Sequence, residues 1–211
     1  MSDKRVILSK KIFTIHCSFF AFLLLAWGCG GNVSPSGYRA YMSDPKNGLT
    51  QETNGAGFVW TCTYEPLDYV VARETRQTPT EKTLTDYLGM QYFMLELSDT
   101  GGGGIKQAIR RKVGETELSK TADYFNFGMQ SGIKLVASGD TMSCLKYHFE
   151  QSGGVGNKLR FMLGFNDPKR QQKPNMQTDF TLVFDNQLLG SDSIRFVFRK
   201  DDMNRSPNIK L

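Results

Sequence analysis

The reactive side chains beyond residue 28 are few: the thiols Cys29, Cys62 and Cys144, and the imidazole His148. One histidine limits the chemistry. A zinc or iron site would need His148 plus scattered carboxylates or thiols, and no H-E-x-x-H spacing is present. A Ser-His-Asp arrangement would have only His148 as its base, and no G-x-S-x-G turn supplies a nucleophile. His148 therefore reads as a partly exposed strand residue beside Lys146, and no metal, cofactor or catalytic residue is assigned. Cys62 and Cys144 would need Cβ atoms within ~4.5 Å to form a bridge. Cys62 shares the aromatic face of 58–64, whereas Cys144 falls with Met142, Lys146 and His148, opposite Leu145, Tyr147 and Phe149. Those opposite environments argue against a disulfide.

Three weaker patterns also bear on chemistry. The loop SDTGGGG at 98–104, followed by IKQAIRRKV, mimics a phosphate cradle, because N–H groups at a helix start bind anions. Its spacing fits neither glycine-rich nucleotide motif, so it reads as a flexible loop. Asp167, Asp179, Asp185, Asp192, Asp201 and Asp202 border the C-terminal strands. Paired carboxylates serve glycosidases, but Asp is also an ordinary turn residue. Trp60 and Tyr64, with Tyr69, are the candidate ligand contacts, since exposed rings stack on sugars; core packing is the competing role for such a stripe.

Cys29 has the most specific surroundings. Lys4, Arg5, Lys10 and Lys11 precede an apolar run from Ile12 to Trp27, which ends in Gly28 and Cys29. The run suits the h-region of an export signal and falls short of the ~20 residues that span a bilayer. Cleavage between Gly28 and Cys29 would leave a thiol that takes diacylglycerol as a thioether and an amine open to acylation. Two or three acyl chains give lasting anchorage, where one is marginal. The stretch departs from a lipobox at Trp27, with Leu25 one place early. A plain secretory signal and an uncleaved anchor are the rival readings. Gly30, in place of Asp, favours onward sorting to the outer membrane.

The charge follows from this division. The whole chain carries 26 basic and 21 acidic residues, +5 at pH 7. Residues 1–28 hold four of the bases and one acid, leaving +2 for the remainder. The basic character is largely the export signal and gives no argument for nucleic acid. Arg110, Arg111 and Lys112, and again Lys169, Arg170 and Lys173, form local clusters that headgroups or glycans would attract; solvated surface charge is the plainer reading.

The elements that must position these residues are mostly strands. Phe58 to Tyr64 alternates, with Phe58, Trp60, Cys62 and Tyr64 on one face. Short helices are expected over 66–75, with a continued strand through Val70-Val71 as the rival, and over 81–88, capped by Thr80. Gln91 to Leu97 reads as a buried strand, and 105–113 and 117–130 as surface helix or loop. Strands follow over 133–138, 141–150, 158–165, 178–185 and 194–199, the first two joined by a turn at Gly139-Asp140. Residues 38–56 read as an extended lead-in. The expected fold is α+β, a mainly antiparallel sheet with a few short helices, with an all-β sandwich as the alternative. The expected organisation is a signal over 1–28, a lipidated cysteine with a flexible tether over 29–37, and one globular domain over 38–211.

DPKNGL at 44–49 and CTYEPLDYVV at 62–71 carry a resemblance. At Asn47, Gly48, Leu49, Tyr64, Pro66 and Asp68 the chain resembles a group of predicted lipoproteins of unknown function from Gram-negative bacteria. The resemblance implies an envelope lipoprotein and no catalytic activity. The reading is then of a lipid-anchored outer-membrane protein, a non-enzymatic accessory or interaction subunit. Its partners would be the membrane, through Cys29, and other envelope proteins, but no nucleic acid. A glycan- or lipid-binding lipoprotein is the alternative, and a hydrolase ranks third.

Overall fold

A computed structural model of the chain describes residues 33–150, 157–169, 178–186, 188–190 and 193–210. The signal, Cys29, Arg170, Lys173 and Asp192 lie outside the described residues.

The fold is α+β, dominated by one antiparallel sheet. Its strands are β1 (Thr50–Gly55), β2 (Phe58–Glu65), β3 (Met90–Asp99), β4 (Ile133–Ala137), β5 (Asp140–Glu150), β6 (Lys158–Asn166), β7 (Phe180–Asp185) and β8 (Ser193–Phe198). They lie in the order β1-β2-β3-β6-β5-β4-β7-β8, each pair antiparallel. Among the described residues the helices are α1 (Pro35–Ser43), α2 (Leu67–Thr75), α3 (Glu81–Thr85), α4 (Ile105–Val113), α5 (Leu118–Asp123) and α6 (Lys200–Asn204). The sheet curls until its edges approach: Ile194 on β8 packs within 3.6 Å of the Cβ position of Gly55 on β1. The result is a nearly closed barrel, not the two-sheet sandwich held as the alternative.

Strand alternation fills the interior. Phe58, Trp60, Cys62 and Tyr64 on β2 and Phe93, Leu95 and Leu97 on β3 are at most 1% exposed. The register gives the barrel two ends. Thr50, Glu65, Met90, Asn166, Phe180 and Phe198 lie toward one; Gly55, Phe58, Asp99, Lys158, Asp185 and Ser193 lie toward the other. Helices α1, α2 and α6 gather at the first end. A helical passage from α4 through a π-type turn at Tyr124–Gly128 leaves and rejoins the sheet at the second, and packs Phe125 5.6 Å from Phe161.

Two hairpins turn on paired left-handed residues. Ala56 and Gly57 join β1 to β2 with φ of 56° and 88°, and Ser138 and Gly139 join β4 to β5 with φ of 49° and 83°. Both are two-residue turns of the type whose twist matches the strands. The second sits one residue earlier than the turn expected at Gly139-Asp140.

The lead-in is not extended. Ser34 accepts a hydrogen bond from the Gly37 N–H and caps α1, with Pro35 in the first turn. Ser-Pro is a helix-start signal as well as a linker signal. Tyr38 and Met42, four residues apart, then bury one helix face. Val33 is already part of the body. It pairs in parallel with Ile209, its N–H bonding Asn208 O at 2.9 Å and its carbonyl accepting from Lys210 N at 3.0 Å. The tether expected over 29–37 therefore ends before Val33.

β5 also departs from its expected pattern. Cys144 pairs with Phe165 and Lys146 with Gly164, so Leu145 is a bulge. The extra residue reverses the faces. Before it, Met142 and Cys144 pack inward; after it, Tyr147 and Phe149 do, while Leu145 is 64% exposed. The environments given above to Cys144 and Leu145 are thus exchanged. Leu145→Ala is expected to change stability by less than about 0.5 kcal/mol, where a buried leucine would lose about 2–5 kcal/mol. Urea unfolding measures this, and a loss above 2 kcal/mol would restore the regular strand.

Candidate functional site

Two of the three rings read as ligand contacts, Trp60 and Tyr64, are core residues; the third, Tyr69, is buried beneath Arg73. Trp60 is 0% and Tyr64 1% exposed. Trp60 packs 5.0 Å from Phe184, and Tyr64 lies among Phe93, Phe180 and Phe198. Closing the sheet turns its aromatic face inward, so neither can meet a ligand at the surface. His148 is exposed on the outer face, opposite Met162. Cys62 and Cys144 are free and buried, both facing inward; burial pushes the Cys62 thiol well up and that of Cys144 to about 11.

The glycine loop is filled by the chain's own anion. Asp99 accepts from the backbone N–H of Gly101 at 3.0 Å and of Gly103 at 2.9 Å, with Arg111 at 3.4 Å. The Gly101 bond foremost lowers its pKa. Arg111 is thereby engaged, and Arg110 pairs with Glu115 at 2.9 Å. Lys169 pairs with Asp140. Three of the aspartates near the C-terminal strands are likewise structural: Asp179 accepts from Lys200 N, Asp202 pairs with Arg205, and Asp167 accepts from Lys169 N. Among the described residues, no three His, Cys, Asp or Glu side chains gather as a metal site.

Polar side chains converge instead in a groove on the outer face, where the sheet meets α1 and α2. It encloses about 520 Å³ and is lined by Arg39, Glu65, Tyr69, Arg73, Glu96, Glu150 and Arg160, with Met42 and Met94 beside them. Strand alternation aims Glu65, Glu96, Arg160 and Glu150 away from the core. Arg73 Nη1 donates to both Glu65 oxygens, at 2.6 and 2.8 Å, and the guanidinium lies 5.6 Å from the Tyr69 ring centre. Burial raises the Glu65 pKa against the pull of Arg73. Burial also works to raise Glu96, but its bonds to Lys158 and Arg160, at 3.0 and 2.8 Å, leave it below its ordinary value. Arg73 Nη2 is buried without a hydrogen-bond partner, 3.9 Å from Glu74 Oε1. Arg39, exposed in the lining, can donate to an acceptor group on a bound molecule. A larger cavity of about 700 Å³ lies beside the β4–β5 turn, lined by Leu145 and Lys169.

Next to the groove, the six positions that carry the resemblance form one knot. Asn47 Nδ2 donates to Tyr41 O at 2.8 Å, and Tyr64 N–H donates to Leu49 O at 2.8 Å. Gly48 has φ 72°, and a Cβ there would stand 2.3 Å from an Asp202 oxygen, so only glycine fits. Pro66 opens α2. Asp68 accepts from Tyr69 N at 2.9 Å and Tyr38 OH at 3.3 Å, and from the backbone of Ile209. It binds α1, α2 and the C-terminal segment together. These residues hold structure; the groove residues outside this motif had no local signal, because their positions are scattered from 39 to 160.

No family model matches the chain, and no curated protein matches it. A crystal structure of a novel protein of unknown function from Burkholderia pseudomallei K96243 is similar at 12% identity, covering 83% of this chain and 94% of that one, with a TM-score of 0.36.

Proposed function

We propose that this chain is a lipid-anchored protein of the cell envelope, held at the outer membrane through Cys29 and acting as a non-enzymatic accessory or interaction subunit. The observation that carries the reading is the basic and apolar segment ending at Gly28-Cys29. The domain is consistent with a binding role. Its groove carboxylates Glu65 and Glu96 are held in ion pairs, which suits recognition better than proton transfer. No described helix is long and apolar enough to cross a membrane.

A glycan- or lipid-binding role is the second reading, favoured by the exposed Arg39 and the half-buried Arg73 beside Tyr69 in the groove lining. It no longer draws on Trp60 and Tyr64. A hydrolase ranks behind both, because Arg73 clamps the buried Glu65 carboxylate.

Cys29→Ala is the test. It is expected to abolish labelling by a clickable palmitate analogue and to move most of the protein from membranes to the soluble fraction. An unlabelled variant that stays in membranes would overturn the lipid anchor in favour of an uncleaved segment. Crosslinking in native membranes, followed by recovery of the protein, would identify the partner.

A further inference from the structure

We infer that the domain works with its α1 end turned to the lipid surface, held there by the shortness of its own tether. The inference rests on the lipid-anchor reading and adds an orientation to it. The folded body begins at Val33, pinned on both sides to the C-terminal segment. Only Gly30, Gly31 and Asn32 separate it from Cys29. Four residue steps reach at most about 14 Å. The eight residues of β2 alone span about 26 Å. A tether shorter than the barrel cannot let both ends exchange places at the bilayer. The end carrying Val33, α1 and the C-terminal segment stays beside the lipid.

The exposed side chains at that end suit headgroups. Ser36, Arg39, Ala40, Asn208 and Lys210 face solvent. Among the described residues, Arg39 and Lys210 join no ion pair, which leaves both cations available to lipid phosphates. The basic cluster of α4 follows the glycine loop at the opposite end, and two of its three cations are engaged by Asp99 and Glu115. The partner surface is the membrane that carries the anchor.

Fluorophores on single introduced cysteines read the orientation. Ser36→Cys and Asn208→Cys report the α1 end; Thr100→Cys and Ser193→Cys report the far end. All four positions are exposed, while the native Cys62 and Cys144 are buried. The lipidated protein, with palmitate labelling verified, is placed in vesicles containing headgroup-spin-labelled phospholipid. Ser36 and Asn208 probes should be quenched several-fold more than Thr100 and Ser193 probes. Inserting twelve Gly/Ser residues between Asn32 and Val33 should bring the four values together. Equal quenching without the insertion, or unequal quenching that survives it, would overturn the tether-imposed orientation and leave the anchor standing. Absence of palmitate on the unaltered protein would overturn the anchor itself, and the orientation with it.

Discussion

Phe93→Ala is expected to remove about 3–5 kcal/mol of folding stability. Phe93 is 0% exposed on β3. Its ring centre lies 5.4 Å from Tyr64, 5.8 Å from Phe165, 6.4 Å from Phe180 and 5.2 Å from Phe198. Those partners come from β2, β6, β7 and β8, so one ring joins both halves of the curled sheet. Truncation loses the transfer free energy of the ring and leaves a cavity lined by other rings, which collapse poorly. Domains are stable by about 5–15 kcal/mol, so the loss is a large fraction of the whole. Urea unfolding of residues 32–211 measures it. Phe127→Ala is the control: that ring is 78% exposed, and its loss should stay within about 0.5 kcal/mol. A Phe93→Ala effect as small as the control would refute an interior organised on this ring.

Arg73→Ala is expected to cost about 3 kcal/mol at neutral pH, the lower part of the range for breaking a buried ion pair. The lower part applies because the Arg73 side chain is 29% exposed, against 7% for Glu65. The variant leaves Glu65 buried with no counter-charge. Burial already raises the Glu65 pKa above its unfolded value, and without Arg73 it rises further. A carboxyl with a raised folded pKa binds its proton more tightly when folded, so the stability it contributes falls as pH rises from the unfolded to the folded pKa. The unfolded chains titrate alike, so the Arg73→Ala penalty is full above the variant's folded pKa and fades as pH falls to the lower folded pKa of the wild type. Asp68, also raised by burial, has the same sign. Combining Glu65→Gln with Arg73→Met should recover most of the loss, since it removes the buried charge and keeps apolar contact with Tyr69. A penalty independent of pH would assign the effect to lost packing on Tyr69 instead.

Much of the sheet was legible because its faces alternate cleanly. The alternation puts Phe58, Trp60, Cys62 and Tyr64 on one face, and all four are buried together. What that face meets was not legible: an aromatic stripe looks the same on an exposed binding sheet and inside a barrel, and only the approach of β1 to β8 decides. α1 was missed because Ser34-Pro35 serves linkers and helix starts alike, and only the burial of Tyr38 and Met42 distinguishes them. The bulge at Leu145 has no glycine or proline to mark it, so a regular period was carried through it and two residues exchanged sides. The groove was least visible. Arg39, Glu65, Arg73, Glu96 and Arg160 come from α1, β2, α2, β3 and β6, and no short stretch of chain contains the pattern. The knot was visible as a motif at Asn47 to Asp68, but its work is to hold α1, α2 and the C-terminal segment in place.

The pairing of Val33 with Ile209 also decides how the domain bears load. Tension on the chain ahead of Val33 enters through two backbone hydrogen bonds, to Asn208 and from Lys210. Behind them stand the Ser34 cap and the bond from Tyr38 to Asp68. Pulling should therefore detach the parallel pair first, peel α1 second, and reach the barrel only after both have yielded. The C-terminal segment acts as a latch whose release spares the sheet.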